Sequence, residues 1–192
     1  MKHVLWFALA ALAAASLFGQ EFKLGSPVGN FAVTDLKGNQ VPFSSLKGDI
    51  TVVAFISTKC PVSNAYNERM KALYKDYTPK GVNFVFINAN STEPAAEVAQ
   101  HAAKNGFPFA VYKDEGNVVA DRFGAQVTPE MFVIGKAGTI LYHGSIDDSQ
   151  NPERIHDQAF RAAMDAVLMG RPVAKAETKA FGCSIKRARK AS

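Results

Sequence analysis

Apolar residues recur along this chain in two rhythms. The stretches ITVVAFIS (50–57) and VNFVFINA (82–89) are nearly unbroken apolar runs rich in valine, isoleucine and phenylalanine, the pattern of strands buried on both faces of a sheet. In PVSNAYNERMKALYKDY (61–77) the apolar positions Ala65, Tyr66, Met70, Leu73 and Tyr77 fall close to helical spacing. The next helix is predicted from Thr92, with Glu93 and Pro94 in its first turn, to Asn105-Gly106. A short strand (108–112) and a short helix (117–123) follow. The runs EMFVIG and TILYHG, joined by Lys136-Ala137-Gly138, read as a hairpin, as do the alternating runs around Lys37-Gly38-Asn39. Asn151 caps a last helix with Pro152 at its first position. Ile155, Ala159, Ala163 and Val167 line one face of it, and Gly170-Arg171-Pro172 stops it. That order of elements predicts an α/β layer sandwich around a mixed sheet.

The ends of the chain depart from this pattern. MKHVLWFALAALAAASLFGQEF sets Lys2 and His3 before an apolar stretch from Val4 to Ala15, with small residues after it. This is the layout of a secretory signal peptide, and the run is short for a membrane span. Residues 1–19 are read as a leader cut between Ala15 and Gly19, the alternative being an uncleaved anchor. No cysteine follows the apolar run, which argues against a lipid anchor. The mature protein is then exported, to the periplasm or beyond, with no membrane span once the leader is gone. Residues 26–170 form the folded domain, and 171–192 an irregular tail. With 47% hydrophobic and 20% charged residues, the chain can bury one core. The net charge is +5, much of it in KRARK (186–190), read as a solvated tail. Nucleic-acid binding would want aromatics among those charges, and none is expected.

Two cysteines, Cys60 and Cys183, carry the candidate chemistry. Cys60 stands where a buried strand gives way to a helix, at the N-cap, with Pro61 in the first position where a missing N–H costs nothing. Unpaired amides of the first turn then face the sulfur and favour the thiolate, the reactive form. Lys59 is placed to add a cation. Ser63 stands where a CxxC motif has its second thiol; its hydroxyl can donate to a thiolate but cannot close a disulfide. The site is therefore monothiol, and a resolving sulfur comes from Cys183 or a partner. Cys183 lies in ETKAFGCSIK, where Phe181 and Ile185 can dock the tail and Gly182 eases the turn. It is read either as a mobile resolving thiol or as half of a static staple, which would stabilise the fold by about 4–5 kcal/mol in the chain-entropy model.

These residues resemble the thioredoxin-fold superfamily and, within it, the alkyl hydroperoxide reductase/thiol-specific antioxidant, or peroxiredoxin-like, family. The likeness covers about residues 26–170. It rests on VGNFAVTDLKGNQVPFSSLKGD, on the strand–Cys60-Pro61–helix step, and on FGAQVTPEMFVIGKAGTILYHG. It implies a three-layer sandwich, a mixed sheet flanked by helices, with an N-terminal hairpin. It also implies that Thr128-Pro129 is a cis-proline step opposite the active cysteine, offering backbone groups to a polypeptide substrate. Peroxiredoxins carry PxxxTxxC; here Ser57 fits the threonine position, but Val53 replaces the proline. The arginine that polarises peroxide is missing from TPEMFVIG, where Glu130 stands. Arg69 is about 13 Å along the helix, and Arg122 reaches the sulfur only if the loop before Thr128 folds inward.

Other candidates weigh less. His3, His101, His143 and His156 are scattered, and no metal or other cofactor is expected. A copper-delivery CxxxC site is not supplied by Ser63 and Asn64. Asp147 and Asp148 read as capping, solvated carboxylates, and Tyr66 as a core residue with a wet tip or a hydroxyl near the sulfur. Three functions stay open. One is thiol–disulfide exchange with a protein partner or a small thiol reductant. Another is thiol-dependent peroxidase activity with a peroxide substrate. The third is a non-catalytic binding domain stapled by its two cysteines.

Overall fold

The two apolar runs become the centre of a seven-stranded sheet. The computed structural model describes residues 21–189; the leader expected at 1–19, with His3, and the end of the chain from Lys190 lie outside them. Among the described residues no helix is long and apolar enough to cross a membrane. Strand β3 (Ile50–Phe55) pairs in parallel with β4 (Val82–Asn88) and antiparallel with β7 (Glu130–Ile134). Outward from β4 come β5 (Val111–Lys113), β1 (Ala32–Thr34) and β2 (Gln40–Pro42), and beyond β7 comes β8 (Ile140–Gly144). A separate two-stranded ladder joins β6 (Val127–Thr128) to β9 (Cys183–Ser184).

Side chains alternate across a strand, so β3 feeds two cores. Val52 and Ala54 join Phe86 against α3 (Asn67–Tyr77) and α6 (Ala159–Leu168), which contribute Met70, Leu73, Phe160 and Ala163. Val53 and Phe55 face the other way, with Phe132, toward α1 (Phe43–Leu46), α5 (Val118–Phe123) and the N-terminal Phe22 and Phe31. Helix α4 (Ala95–Lys104) adds Val98 to the first core. The result is the three-layer thioredoxin-like sandwich with a mixed sheet and an N-terminal hairpin.

Several elements differ from the periodicity. The helix expected over 61–77 is two, α2 (Pro61–Ala65) and α3, because Tyr66 closes the first piece with a tight N–H bond to Ser63 O (3.1 Å). The helix expected from Thr92 begins at Ala95, since Pro94 is extended (φ −66°, ψ 155°) and Glu93 turns inward. Asn151 does cap a turn, accepting from Glu153 N–H at 3.0 Å, but that turn leaves helical geometry at Ile155, and α6 starts only at Ala159. The strand expected at 108–112 begins at Val111, and Asn117 stands before α5 in a left-handed conformation (φ 63°).

The tail is not irregular and solvated throughout. It pairs with the edge of β8, where Ala176 O accepts the His143 N–H (2.9 Å) and Thr178 N–H donates to His143 O (3.0 Å). It then supplies β9 and buries Ile185. Arg187, within the basic run, pairs with Asp121 (3.2 Å) and donates to Ala125 O (2.6 Å). Packing also begins ahead of residue 26, for Phe22 is buried against Phe123.

Phe86 is fully buried and stacks on Phe109 with centroids 3.7 Å apart. Phe86→Ala removes that ring from the first core and is expected to cost about 3–5 kcal/mol, measured by urea unfolding.

Candidate active site

Cys60 is the N-cap of α2, in extended geometry (φ −79°, ψ 117°), with Pro61 following. Its sulfur accepts the N–H of Ser63 at 3.3 Å and the N–H of Cys183, also at 3.3 Å. In the thiol form its S–H points at Thr128 O, 3.4 Å away. Only 3% of Cys60 is exposed. Burial pushes the thiol up, but hydrogen bonds from the Cys183 thiol, from the two amides and with Thr128 outweigh it, so the net shift is downward. Cys183 moves the other way: its thiol donates to Cys60 and is partly desolvated, and both effects raise it. Two unpaired cysteines, far apart in sequence, are thus brought together, with the N–H of one on the sulfur of the other.

The loop beneath the sulfur is tied to a carboxylate that periodicity placed in a helical turn. Glu93 is buried. It accepts the Ser57 hydroxyl (2.5 Å), the Thr58 N–H (2.7 Å), the Thr58 hydroxyl (2.9 Å) and the Asn88 amide (2.6 Å). Burial raises its pKa, yet these donors hold it below the ordinary 4.5. Ser57 Oγ in turn accepts the N–H of Cys60 (3.0 Å) and of Lys59 (3.2 Å). Behind Glu93, the buried Lys113 ammonium donates to Asn88 Oδ1 (2.8 Å), Asn90 O (3.0 Å) and Glu93 O (2.6 Å), and burial lowers its pKa. The visible trace of this network in sequence is a set of polar residues at the ends of strands β4 and β5: Asn88, Asn90 and Lys113.

The opposite wall is the Thr128-Pro129 peptide, which is cis. Glu130, also buried, receives the N–H groups of Gln126 (2.7 Å) and Val127 (3.0 Å) and meets His143 Nε2 at 2.6 Å. It shapes β6, and β9 pairs there in the register Thr128↔Cys183.

Some candidates stand elsewhere. The Lys59 ammonium turns outward to Glu97 (2.7 Å) and Thr92 O (2.9 Å). It is the Ser63 amide, not its hydroxyl, that serves the sulfur; the hydroxyl accepts the Ser57 N–H (3.0 Å). Arg69 pairs with Asp147 (2.6 Å) and lies over the Tyr66 ring, and Arg122 donates to Asn30 O and lies over Phe22. Tyr66 is a core residue whose hydroxyl donates to Asp147 (2.6 Å); burial and that carboxylate raise its pKa. Asp147 is thus buried and ion-paired, correcting its solvated reading, whereas Asp148 is engaged by local amides of the loop. Among the described residues no three metal-ligating side chains converge.

Residues 24–143 match the model of the AhpC/TSA family. The chain is 29% identical over 119 residues to thiol-disulfide oxidoreductase ResA of Halalkalibacterium halodurans, covering 62% of this chain and 66% of that one. It is 30% identical over 122 residues to the protein of the same name from Bacillus thuringiensis, covering 64% and 69%. It thus spans about two thirds of the length of these relatives. A crystal structure of a conserved protein from Geobacillus kaustophilus superposes with a TM-score of 0.81 at 35% identity, over 88% of this chain and 95% of that one.

A carboxylate held below its ordinary pKa stabilises the fold fully above about pH 4.5 and loses that contribution as pH falls through its lower folded value. Glu93→Gln is expected to cost about 1–3 kcal/mol at neutral pH. Urea midpoints followed from about pH 5 to about pH 3 should fall more steeply for the wild type than for the variant.

Proposed function

The chain belongs to the AhpC/TSA family, and we propose that it is an exported thiol–disulfide oxidoreductase in which Cys60 attacks and Cys183 resolves. The observation that carries this reading is the placement of Cys183 beside Cys60, its N–H donating to the Cys60 sulfur at 3.3 Å from a strand in the register Thr128↔Cys183. Donors around Cys60 favour its thiolate, and the neighbouring Cys60 sulfur pushes the Cys183 thiol upward. The names of the curated relatives support the same chemistry.

The Cys60 thiolate displaces one sulfur of a substrate disulfide, forming a mixed disulfide and releasing a thiolate that takes up a proton. Once the Cys60 sulfur is bonded, its negative charge is gone, and Cys183 ionises more readily. Its thiolate attacks the Cys60 sulfur and expels the second substrate thiolate, which is protonated in turn. The substrate gains two electrons and leaves as two thiols; the protein keeps a Cys60–Cys183 disulfide, which a protein or small-molecule dithiol then reduces. The apolar leader supports export, to a compartment where disulfides persist.

A peroxidase would reach the same disulfide through a sulfenic acid on Cys60. That reaction calls for a cation or strong donor on the departing oxygen. The charges of Lys59, Arg69 and Arg122 are engaged elsewhere, which favours exchange over peroxide reduction. A purely structural staple would not need Cys60 to be ionised.

Alkylation of Cys60 against pH is expected to titrate below the ordinary cysteine value of about 8.5. Incubated with a disulfide substrate, Cys183→Ser should accumulate mixed disulfides through Cys60 that the wild type clears, read by intact mass. Absence of adducts in the variant removes the exchange reading. Peroxide oxidation of Cys60 much faster than that of free cysteine would reinstate the peroxidase.

A further inference from the structure

The tail segment that brings Cys183 to Cys60 is held in an unusual way. Of residues 181–189 only Ile185 is buried; the others are half-buried or exposed. Beside the side chains of Phe181, Ile185 and Arg187, its main chain makes a run of contacts to the domain. Ile185 N–H donates to Gln126 O (2.9 Å), and Lys186 O accepts the Ser91 N–H (2.9 Å). Lys186 N–H donates to Asn90 Oδ1 (2.8 Å), and Ala188 N–H to Asn117 Oδ1 (2.6 Å). Both asparagines are buried, although each faces a surface segment. Asn117 keeps its left-handed backbone and anchors its own amide on Ala89 O. The Asn90 amide nitrogen is buried without a hydrogen-bond partner. Two polar side chains buried beside the domain core thus present their oxygens to the amides of a tail segment whose apolar contacts are those of Ile185 and the half-buried Phe181.

Groups that bind main chain can receive an extended segment of another polypeptide, because every strand carries the same donors and acceptors, and the side-chain sites beside them then set which sequences fit. We propose that this channel, from Thr128 past Gln126 and Asn90 to Asn117, is a polypeptide-binding site whose resident occupant is the protein's own tail. The exchanging occupant is an extended segment of a partner protein carrying a cysteine at the Cys183 position. This deepens the exchange reading and rests on it for the sulfur chemistry alone. With the tail seated, Cys60 is 3% exposed, so a polypeptide disulfide reaches it by taking the tail's place. The same contacts set the preferred sequence. A Cβ at Gly182 would collide with Thr128 O, so the residue before the cysteine is glycine. The Ile185 site asks for an aliphatic residue two positions after it. The partner strand then lifts from the channel with its cysteine still bonded to Cys60, the tail reseats, and Cys183 resolves the mixed disulfide as described above.

The test is binding of a fluorescein-labelled peptide spanning residues 178–189 and carrying Cys183→Ser, followed by anisotropy against the full chain. Gly182→Val pushes the resident tail off Thr128, and Ile185→Asp removes its one buried anchor. Each is expected to bind the peptide about ten-fold tighter than the wild type, whose channel is occupied. Adding Asn117→Gly, which keeps the left-handed backbone and removes the amide, should abolish that gain, as should a peptide with Val in place of the glycine. The proposal is overturned if either variant is folded by circular dichroism and alkylates Cys60 faster than the wild type, yet binds the peptide no tighter. Equal binding of a scrambled peptide overturns it too. Because the peptide carries no thiol, its binding is independent of exchange: peptide capture without mixed-disulfide formation would sink the proposed chemistry and leave the channel standing.

Discussion

A sulfur that is to be ionised and yet almost wholly buried must be surrounded by donors. Desolvation alone would drive Cys60 toward the neutral thiol. Here the compensation comes from two backbone amides and a neighbouring thiol. One amide belongs to the first turn of α2, where N–H groups have no partner inside the helix. The other arrives from the far end of the chain on a two-residue strand. Much of the architecture is arranged so that these donors converge.

Holding the first amide in place is the work of the loop between β3 and α2. That loop has little apolar anchorage, and its polar groups are buried, so each needs a partner. The Glu93 carboxylate takes in hydroxyl, amide and backbone donors at once, and Ser57 passes that order on to the N–H of Cys60. An ionised carboxylate in the interior is tolerable only when so thoroughly hydrogen-bonded. The Lys113 ammonium, itself buried, sits behind it and braces the ends of β4 and β5. Glu130 plays the matching part on the other wall, drawing the amides of Gln126 and Val127 inward and giving β6 the shape that β9 meets. Two buried carboxylates, one under each wall, therefore position a site in which neither touches the sulfur.

The second donor depends on the tail, which is attached through main-chain hydrogen bonds and through the side chains of Thr178, Phe181, Ile185 and Arg187. These contacts bring Cys183 beside Cys60 although the two lie far apart along the chain. The sheet edge and the buried asparagines supply the register that sequence proximity supplies in a CxxC site.

The sequence by itself determined the layers of the fold and the place of Cys60 at a helix N-cap, because both follow from local rules. Unbroken apolar runs make central strands, spaced apolar residues make covering helices, and a cysteine followed by proline at the end of a strand becomes an N-cap. Periodicity was misleading where a polar tertiary partner overrode it. Glu93 left its helix for the active-site loop, Tyr66 broke a helix in two while reaching for Asp147, and the turn capped by Asn151 never grew into α6. Only the tertiary structure decided that Lys59 faces away, that Asp147 is buried, and that the tail lies against the domain with the Cys183 amide on the Cys60 sulfur. These are contacts between residues tens of positions apart, made by single hydrogen bonds and ion pairs. No local pattern encodes them, since the chain must first bury its core before such groups can find one another.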